Sequence, residues 1–180
     1  MNNKVVKLSV VLFLICAIVS AVLGAVNEVT KGPIEIRQRE KTEKAYKAVL
    51  PYADAFTEVD PFRFSTYKAT IDKISTADNG AGHVVETTFS GAQGSITMAV
   101  GVDSDGKCAG ISIIKHSETS GLGEVAASSS ERGVSFRKSF IGKDESITIG
   151  DIDAITGATI TSKAVTGAVA TAIEAVKALG

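Results

Sequence analysis

The stretch Ser95-Ile-Thr-Met-Ala-Val-Gly-Val102, the turn Asp103-Ser-Asp-Gly106 and the run Cys108–His116 decide the fold of this chain. Every second residue between Ile96 and Val100 is a large apolar one, which is the period of a strand with one buried face. Asp and Gly are typical of tight turns, so two strands joined in this way should pair antiparallel. This part of the sequence therefore predicts a β-hairpin.

The residues before this hairpin extend the same pattern. Phe62–Thr76 is rich in β-branched and aromatic residues, and Asp78-Asn-Gly80 is a turn signal before a further strand over His83–Ser90. The short loop Gly91-Ala-Gln-Gly94 then leads into the hairpin. Short strands joined by tight turns predict an antiparallel β meander.

A helix is predicted over Ser162–Leu179, where apolar residues recur at spacings of three and four. Its apolar stripe should pack on the sheet. We therefore expect an α+β fold, an antiparallel β meander with packed helices on one face, behind an N-terminal membrane helix.

The segment Leu8–Val26 contains no charged residue. As a helix it would rise about 28 Å, roughly the thickness of the hydrocarbon core of a bilayer. A retained single-pass anchor is the favoured interpretation, because the segment is long and a cleaved signal peptide would need small residues at its cleavage site. Lys4 and Lys7 precede it and favour a cytoplasmic N-terminus, whereas the basic residues that follow argue the opposite. Since folded domains cross largely regardless of nearby charge, we expect residues 28–180 outside the cytoplasm.

Three regions are expected along the chain. Residues 1–27 are the cytoplasmic flank and transmembrane anchor, residues 28–60 a juxtamembrane helical connector, and residues 61–180 the folded domain. The connector contains a helical stretch, Glu35–Leu50, which Pro51 should end. We expect this helix to be a solvated stalk.

Composition excludes some functions. The formal net charge is −1, and nucleic-acid binding needs a clustered basic surface, so no nucleic-acid partner is expected. Cys16 and Cys108 form no metal-binding motif, and His83 and His116 are far apart in the sequence. The chain alone is therefore not expected to hold a zinc ion or an iron–sulfur cluster.

The run Asp153-Ala-Ile-Thr-Gly-Ala-Thr-Ile-Thr-Ser162 places several hydroxyl groups beside a small Gly-Ala pair, just before the predicted helix. The amides and the dipole of a helix start favour an anion, and Thr161 and Ser162 would be good N-caps. The pattern suits a covalently bound phosphate group. A Thr hydroxyl is too basic to attack a phosphate unaided, so another enzyme would have to form the bond. A simple turn followed by a cap explains the run equally well.

A second segment, His116-Ser-Glu-Thr-Ser-Gly-Leu-Gly-Glu124, follows the end of the last predicted strand. Its two glycines around one leucine would let the backbone turn tightly and press an apolar side chain onto a flat partner.

Together the two segments resemble a known family. Asp153-x-x-Thr-Gly-Ala-Thr159 is similar to the covalent-FMN attachment motif of bacterial FMN-binding domains. His116-Ser-Glu-Thr-x-Gly-Leu-Gly123 resembles the Glu-Thr-Pro-Gly-Leu-Gly run of the G subunit of the Rnf complex and of the C subunit of the sodium-pumping NADH:quinone reductase. Ser120 stands where family members often have Pro, which removes no hydrogen-bonding group.

This resemblance implies covalent FMN, esterified through its phosphate to Thr159 by a separate flavin transferase that takes FMN from FAD. The phosphate and the linkage would be surrounded by Thr156, Gly157, Ala158, Thr161 and Ser162. The flavin ring would be contacted by Glu118, Thr119, Leu122 and Gly123. Lys143 is a weaker candidate for holding the phosphate or countering charge on the flavin, and a solvated loop lysine is the simpler interpretation.

The sequence contains no evident general base or nucleophile with a partner, so no catalytic residue is expected and an electron relay fits better than bond-making catalysis. The resemblance implies a membrane-anchored redox subunit of an Rnf-type complex, which couples ferredoxin:NAD electron transfer to sodium or proton translocation. Its partners would include an iron–sulfur donor, a second flavin subunit and the lipid bilayer. Alternatives are the C subunit of the sodium-pumping NADH:quinone reductase, a stand-alone anchored flavoprotein, and an anchored binding module without a cofactor.

Overall fold

A computed structural model of the protein describes residues 3–59, 69–118 and 123–179. The chain divides into two compact units, Met1–Lys41 and Thr42–Gly180.

The first unit is formed by helix α1, which spans Asn3–Val49 and so continues into the second unit. In the described part of the chain, α1 is the one helix long and apolar enough to cross a membrane. The large apolar side chains along its first half are exposed, as the lipid-facing surface of a membrane helix would be. Helix α1 ends at Val49, before Pro51, as predicted.

In its described residues, the second unit contains a five-stranded antiparallel sheet whose strands follow one another in chain order. The strands are β1 Phe56–Glu58, β2 Thr70–Ala77, β3 Gly82–Ser90, β4 Ser95–Asp103 and β5 Cys108–His116. The predicted meander is confirmed. Part of the predicted first strand, residues 62–68, lies outside the described residues, and the short edge strand β1 was not predicted.

Among the described residues, four helical segments follow the sheet. Two are short 3-10 helices, and two are the α-helices that pack on the sheet. They are the 3-10 helix Gly123–Ala126, α2 Glu131–Lys138, the 3-10 helix Ile149–Asp151 and α3 Thr159–Lys177. Helix α3 begins three residues earlier than predicted, which changes the roles of the hydroxyl groups in its first turn.

The main core lies between one face of the sheet and the helices α2 and α3. Alternate residues of β4, from Ile96 to Val102, point into it, and Val165 and Val169 of α3 cover them. Phe136 of α2 and Phe140 meet edge to face with their ring centroids 5.1 Å apart, and both are fully buried. Rings in this arrangement favour each other beyond simple burial, so the pair fixes α2 against the sheet.

The opposite face of the sheet is also covered, contrary to the expectation of helices on one face and of a solvated stalk. Tyr46 and Val49, in the last turns of α1, are buried against Val84 and Ala99. The Tyr46 hydroxyl donates to Glu86 Oε1 over 2.7 Å. This covering is possible because glycine at position 101 leaves space for the Val49 backbone, which a Cβ there would approach to 2.7 Å. The predicted α+β class is confirmed, with the sheet enclosed on both sides.

Candidate functional site

The segment before α3 forms a turn that ends at an open helix start. Gly157 has a φ of 83°, a conformation that favours glycine, and Ala158 occupies the N-cap position without a capping side chain. The first-turn amides of Thr159, Ile160 and Thr161 have no carbonyl partner within the helix, because no preceding turn supplies one. The site therefore offers N–H groups and a positive dipole end to an anion.

The hydroxyl groups of this segment fall into two classes. Thr156 and Thr159 are exposed, whereas Thr161 and Ser162 are fully buried. The expectation that Thr161 and Ser162 cap the helix is wrong, because both lie inside its first turn. Ser162 Oγ instead accepts a hydrogen bond from the Ile155 amide over 3.1 Å, which ties the preceding turn to the helix.

The Glu118 carboxylate joins the two segments that the sequence singled out. The Thr161 hydroxyl donates to Glu118 Oε2 over 2.7 Å. The Gln93 amide donates to Glu118 Oε1 over 3.0 Å, and the neighbouring amides of Ala92 and Gly94 also help to lower the pKa of this carboxyl. The loop between β3 and β4 thus lies against the carboxylate, and we call this arrangement of Glu118, Thr161 and the 92–94 amides the Glu118 clasp.

Two glycines are required by the Glu118 clasp. A Cβ at Gly91 or at Gly123 would overlap the Glu118 side chain. Both glycines have negative φ, so lack of space demands them, and the backbone conformation does not. The sequence predicted Gly123 and Glu118 as site residues, and the structure brings them together. No pattern in the sequence had indicated that the distant Gly91 lies beside them.

The clasp shifts the acidity of Glu118. Desolvation on its own raises the pKa of this carboxyl, but the hydrogen bonds from the Gln93 amide and the Thr161 hydroxyl, together with the nearby Gly94 and Ala92 amides, outweigh it. The net result is that the pKa is lowered from the ordinary value of 4.5. Glu118 is therefore ionised at neutral pH and accepts hydrogen bonds only.

A pH dependence of stability follows from this shift. Because the pKa of the folded state lies below that of the unfolded chain, the contribution of Glu118 is complete above about pH 4.5 and is lost as the pH falls through the folded-state value. We expect Glu118→Gln to flatten this part of the acid-unfolding profile, measured by circular dichroism. Glu124→Gln, six residues further on, should retain the wild-type profile. Equal profiles for wild type and Glu118→Gln would contradict the role of the clasp.

Helix α2 contributes contacts that the sequence did not predict. Arg132 Nη2 lies 3.4 Å from the Thr156 carbonyl oxygen, and the Ser135 hydroxyl donates to Asp153 Oδ2 over 3.0 Å. Both contacts lie at the turn that precedes α3. Eighteen to 24 residues separate the partners, and no local pattern signals that they meet.

The remaining predicted residues lie elsewhere or outside the described residues. Thr119 and Leu122 belong to the undescribed stretch 119–122. The Lys143 carbonyl accepts from the Cys108 amide over 2.8 Å, at the beginning of β5, whereas Glu118 follows the end of that strand. A strand of nine residues spans about 26 Å. The structure therefore does not bring Lys143 to the other candidate residues.

The arrangement can present an anchored phosphate but shows no means of attaching one. In the described part of the chain, no hydrogen bond joins the Thr159 hydroxyl to a basic side chain that could activate it. A threonine hydroxyl without such a base is a weak nucleophile. An external enzyme would have to form any ester at this position.

Comparison with known proteins agrees with these features. Residues 91–174 match the FMN-binding domain family. The chain is 32% identical to the G subunit of the ion-translocating oxidoreductase complex of Methanosarcina acetivorans, over 98% of this chain and 97% of the relative. It is 34% identical to the G subunit of the Na(+)-translocating ferredoxin:NAD(+) oxidoreductase complex of Acetobacterium woodii, over 94% and 90% of the two chains. For the proton-translocating counterpart from Clostridium ljungdahlii the identity is 33%, over 97% and 93%.

The matched FMN-binding region contains the loop at Gly91, the Glu118 clasp and most of α3, and the similarity to the three relatives extends over nearly the whole chain, including α1. The sequence resemblance is thereby confirmed, and the chain belongs to the family of G subunits of ion-translocating oxidoreductase complexes.

Proposed function

We propose that this protein is the membrane-anchored electron-carrying subunit of an Rnf-type complex, with FMN esterified through its phosphate to Thr159. The complex would couple electron transfer between ferredoxin and NAD to the movement of sodium ions or protons. The observation that carries the proposal is the exposed Thr159 hydroxyl at the open start of α3, in a chain similar to G subunits over nearly its full length.

The residues present fit an FMN phosphoester. A phosphodiester keeps one negative charge, and the uncapped amides at the start of α3 would donate hydrogen bonds to its charged oxygens. Gly157 and Ala158 carry little or no side chain that could crowd the phosphate, and the Arg132 guanidinium lies at the same turn. Thr156 is exposed beside them. These residues would hold the phosphate, while the flavin itself supplies the electron-transfer chemistry.

Thr159 is favoured over the other hydroxyl groups by accessibility. Thr161 is fully buried and its hydroxyl is bonded to Glu118, so its modification would first require the clasp to open. Ser162 is also fully buried. Thr156 is exposed but precedes the helix, where fewer free amides face a bound anion.

A flavin transferase would form the bond from FAD. The Thr159 oxygen would bond to the phosphorus of the FMN moiety, the pyrophosphate P–O bond of FAD would break, AMP would leave, and the hydroxyl proton would pass to solvent or to a base of the transferase. No oxidant or reductant is consumed, and the chain needs only to present an accessible hydroxyl. Covalent attachment would also prevent loss of FMN by dilution outside the cytoplasm.

The membrane orientation is part of the proposal. We place the N-terminus in the cytoplasm, α1 across the bilayer and the FMN-binding domain on the extracytoplasmic face. There it would exchange electrons with an iron–sulfur donor and with a second flavin subunit of the complex. Protease added to intact cells or spheroplasts should cleave the folded domain, whereas protection from external protease would reverse the orientation.

The proposal is tested on the full chain produced with and without a flavin transferase. After denaturing electrophoresis, a fluorescent band is expected at the mass of this chain only when the transferase is present. Peptide mapping by mass spectrometry should place one FMN on the peptide that contains Thr159. A colourless protein of unmodified mass, from cells with an active transferase, would exclude the proposal.

Arg132 provides a more specific prediction. Removing its charge with Arg132→Gln should slow flavin attachment about two- to fivefold, because an exposed charge near a phosphate contributes roughly 0.5–1 kcal/mol. The measurement is the growth of in-gel fluorescence with time at limiting transferase.

Lys138→Gln is the matched control for this effect, since Lys138 is also exposed on α2. This variant also removes one positive charge from α2, but no hydrogen bond among the described residues joins Lys138 to the turn that precedes α3. The rate of flavin attachment should therefore be unchanged. Equal slowing by both variants would assign the effect to the net charge of α2 rather than to Arg132.

A further inference from the structure

His116 carries a buried nitrogen without a partner. Its Nδ1 atom is inaccessible to solvent and has no hydrogen-bond partner among the residues that the structure describes. Leaving such an atom unpaired is unfavourable, because it loses its hydrogen bonds to water and gains none in the protein. Native proteins retain few of them, so each calls for a specific explanation.

The position of His116 relates this nitrogen to the candidate site. His116 is the last residue of β5 and lies directly opposite Ile96 of β4. Directly opposed residues of antiparallel strands point to the same face of a sheet, and Ile96 belongs to the core under α3. The imidazole is therefore on the α3 side of the sheet, at the end of β5 that leads to Glu118.

The Glu118 carboxylate is paired with groups other than His116. Its Oε1 accepts from the Gln93 amide and its Oε2 from the Thr161 hydroxyl. Each of its two oxygens therefore already has a donor within the protein. The Thr161 hydroxyl hydrogen is likewise committed to Glu118.

We propose that His116 is a cofactor-binding residue whose Nδ1 forms a hydrogen bond with a polar atom of the isoalloxazine ring. This inference rests on the proposed function, since the ring must be held near Thr159. The isoalloxazine edge presents carbonyl and ring-nitrogen acceptors and an N–H donor, and a neutral imidazole nitrogen can pair with either kind. A ring bound there would supply the partner that the protein itself lacks.

The inference predicts opposite effects of one substitution in two forms of the protein. In the full chain without flavin, His116→Phe replaces an unpaired nitrogen by apolar atoms, so Tm should be unchanged or higher. In the flavin-bearing chain the same substitution removes a hydrogen bond, so Tm should fall by roughly 3–6 °C relative to wild type. Thermal unfolding of both forms, prepared with and without transferase, measures this difference.

Two further variants keep the test decisive. His116→Asn places an amide close to the position of Nδ1 and should preserve Tm and the midpoint potential of the bound flavin, whereas His116→Phe should shift the potential. If the larger Phe disturbs packing, His116→Leu gives the same comparison.

The outcomes separate this inference from the proposed function. An equal fall of Tm in both forms of His116→Phe and of His116→Leu, or no change in either form, would overturn the role of His116 while the fluorescent band remained. Absence of the band from wild type would overturn the proposed function together with this inference.

Discussion

Thr159→Ala is expected to yield a protein that folds as the wild type but carries no covalent flavin. The side chain is exposed and forms no part of either core. Alanine is also a better helix former than threonine, so α3 should begin at the same place. In-gel fluorescence should disappear completely, because no other oxygen can take the place of the missing hydroxyl without a change in the turn. Circular dichroism should show an unchanged spectrum and an unfolding temperature close to that of the flavin-free wild type.

Thr156→Ala is the matched control, since it removes the other exposed threonine of the same segment. It should retain the fluorescent band. Fluorescence that persisted in Thr159→Ala and vanished in Thr156→Ala would move the linkage to Thr156. Persistence in both single variants would point to Thr161 and would require the Glu118 clasp to open during attachment.

Gly91→Ala should destabilise the domain by about 2–3 kcal/mol, although the residue lies in a surface loop. The added methyl group would occupy the place of the Glu118 carboxylate, which the clasp holds in position. Displacing the carboxylate leaves the Gln93 amide and the Thr161 hydroxyl unpaired at once. Chemical denaturation of the flavin-free chain measures the change. Gly150→Ala is the control, because a Cβ there would meet only Thr148 Oγ1, at 3.7 Å.

Combining Gly91→Ala with Glu118→Ala tests whether the clash with Glu118 causes this destabilisation. In the absence of the carboxylate, the main remaining obstacle is the end of the flexible Ile96 side chain. The glycine substitution should then cost less than about 1 kcal/mol, so that the two effects are strongly non-additive. Additive effects would show that Gly91 is needed for a reason unrelated to Glu118.

The sequence predicted the strands well because their signals are local. Alternation from Ile96 to Val100 and the Asp-Gly turn after β4 specify a hairpin within about twenty residues, and β3, β4 and β5 have nearly the predicted bounds. The start of α3 was predicted too late. Threonine and serine are common N-caps, whereas here they lie inside the first turn, and their hydroxyls bond Glu118 and the Ile155 amide.

Features that depend on contacts between distant residues were not predictable from the same patterns. The covering of the second sheet face by Tyr46 and Val49 depends on glycine at position 101, more than fifty residues away. The contact of Arg132 with Thr156 has no motif of its own. Lys143 was a weaker candidate for holding the phosphate or countering charge on the flavin, and its backbone pairs with Cys108 at the other end of β5 from Glu118.

The Glu118–Thr161 hydrogen bond spans 43 positions of the sequence. It can therefore exist only after the end of β5 and the start of α3 have come together. A chain released early from synthesis, or one with a defective sheet, would offer the threonines of this segment without their fixed surroundings. A transferase that recognises the folded turn around Thr159 would then colour only those molecules whose tertiary structure was complete, and the yellow fraction of a preparation would measure the quality of its folding.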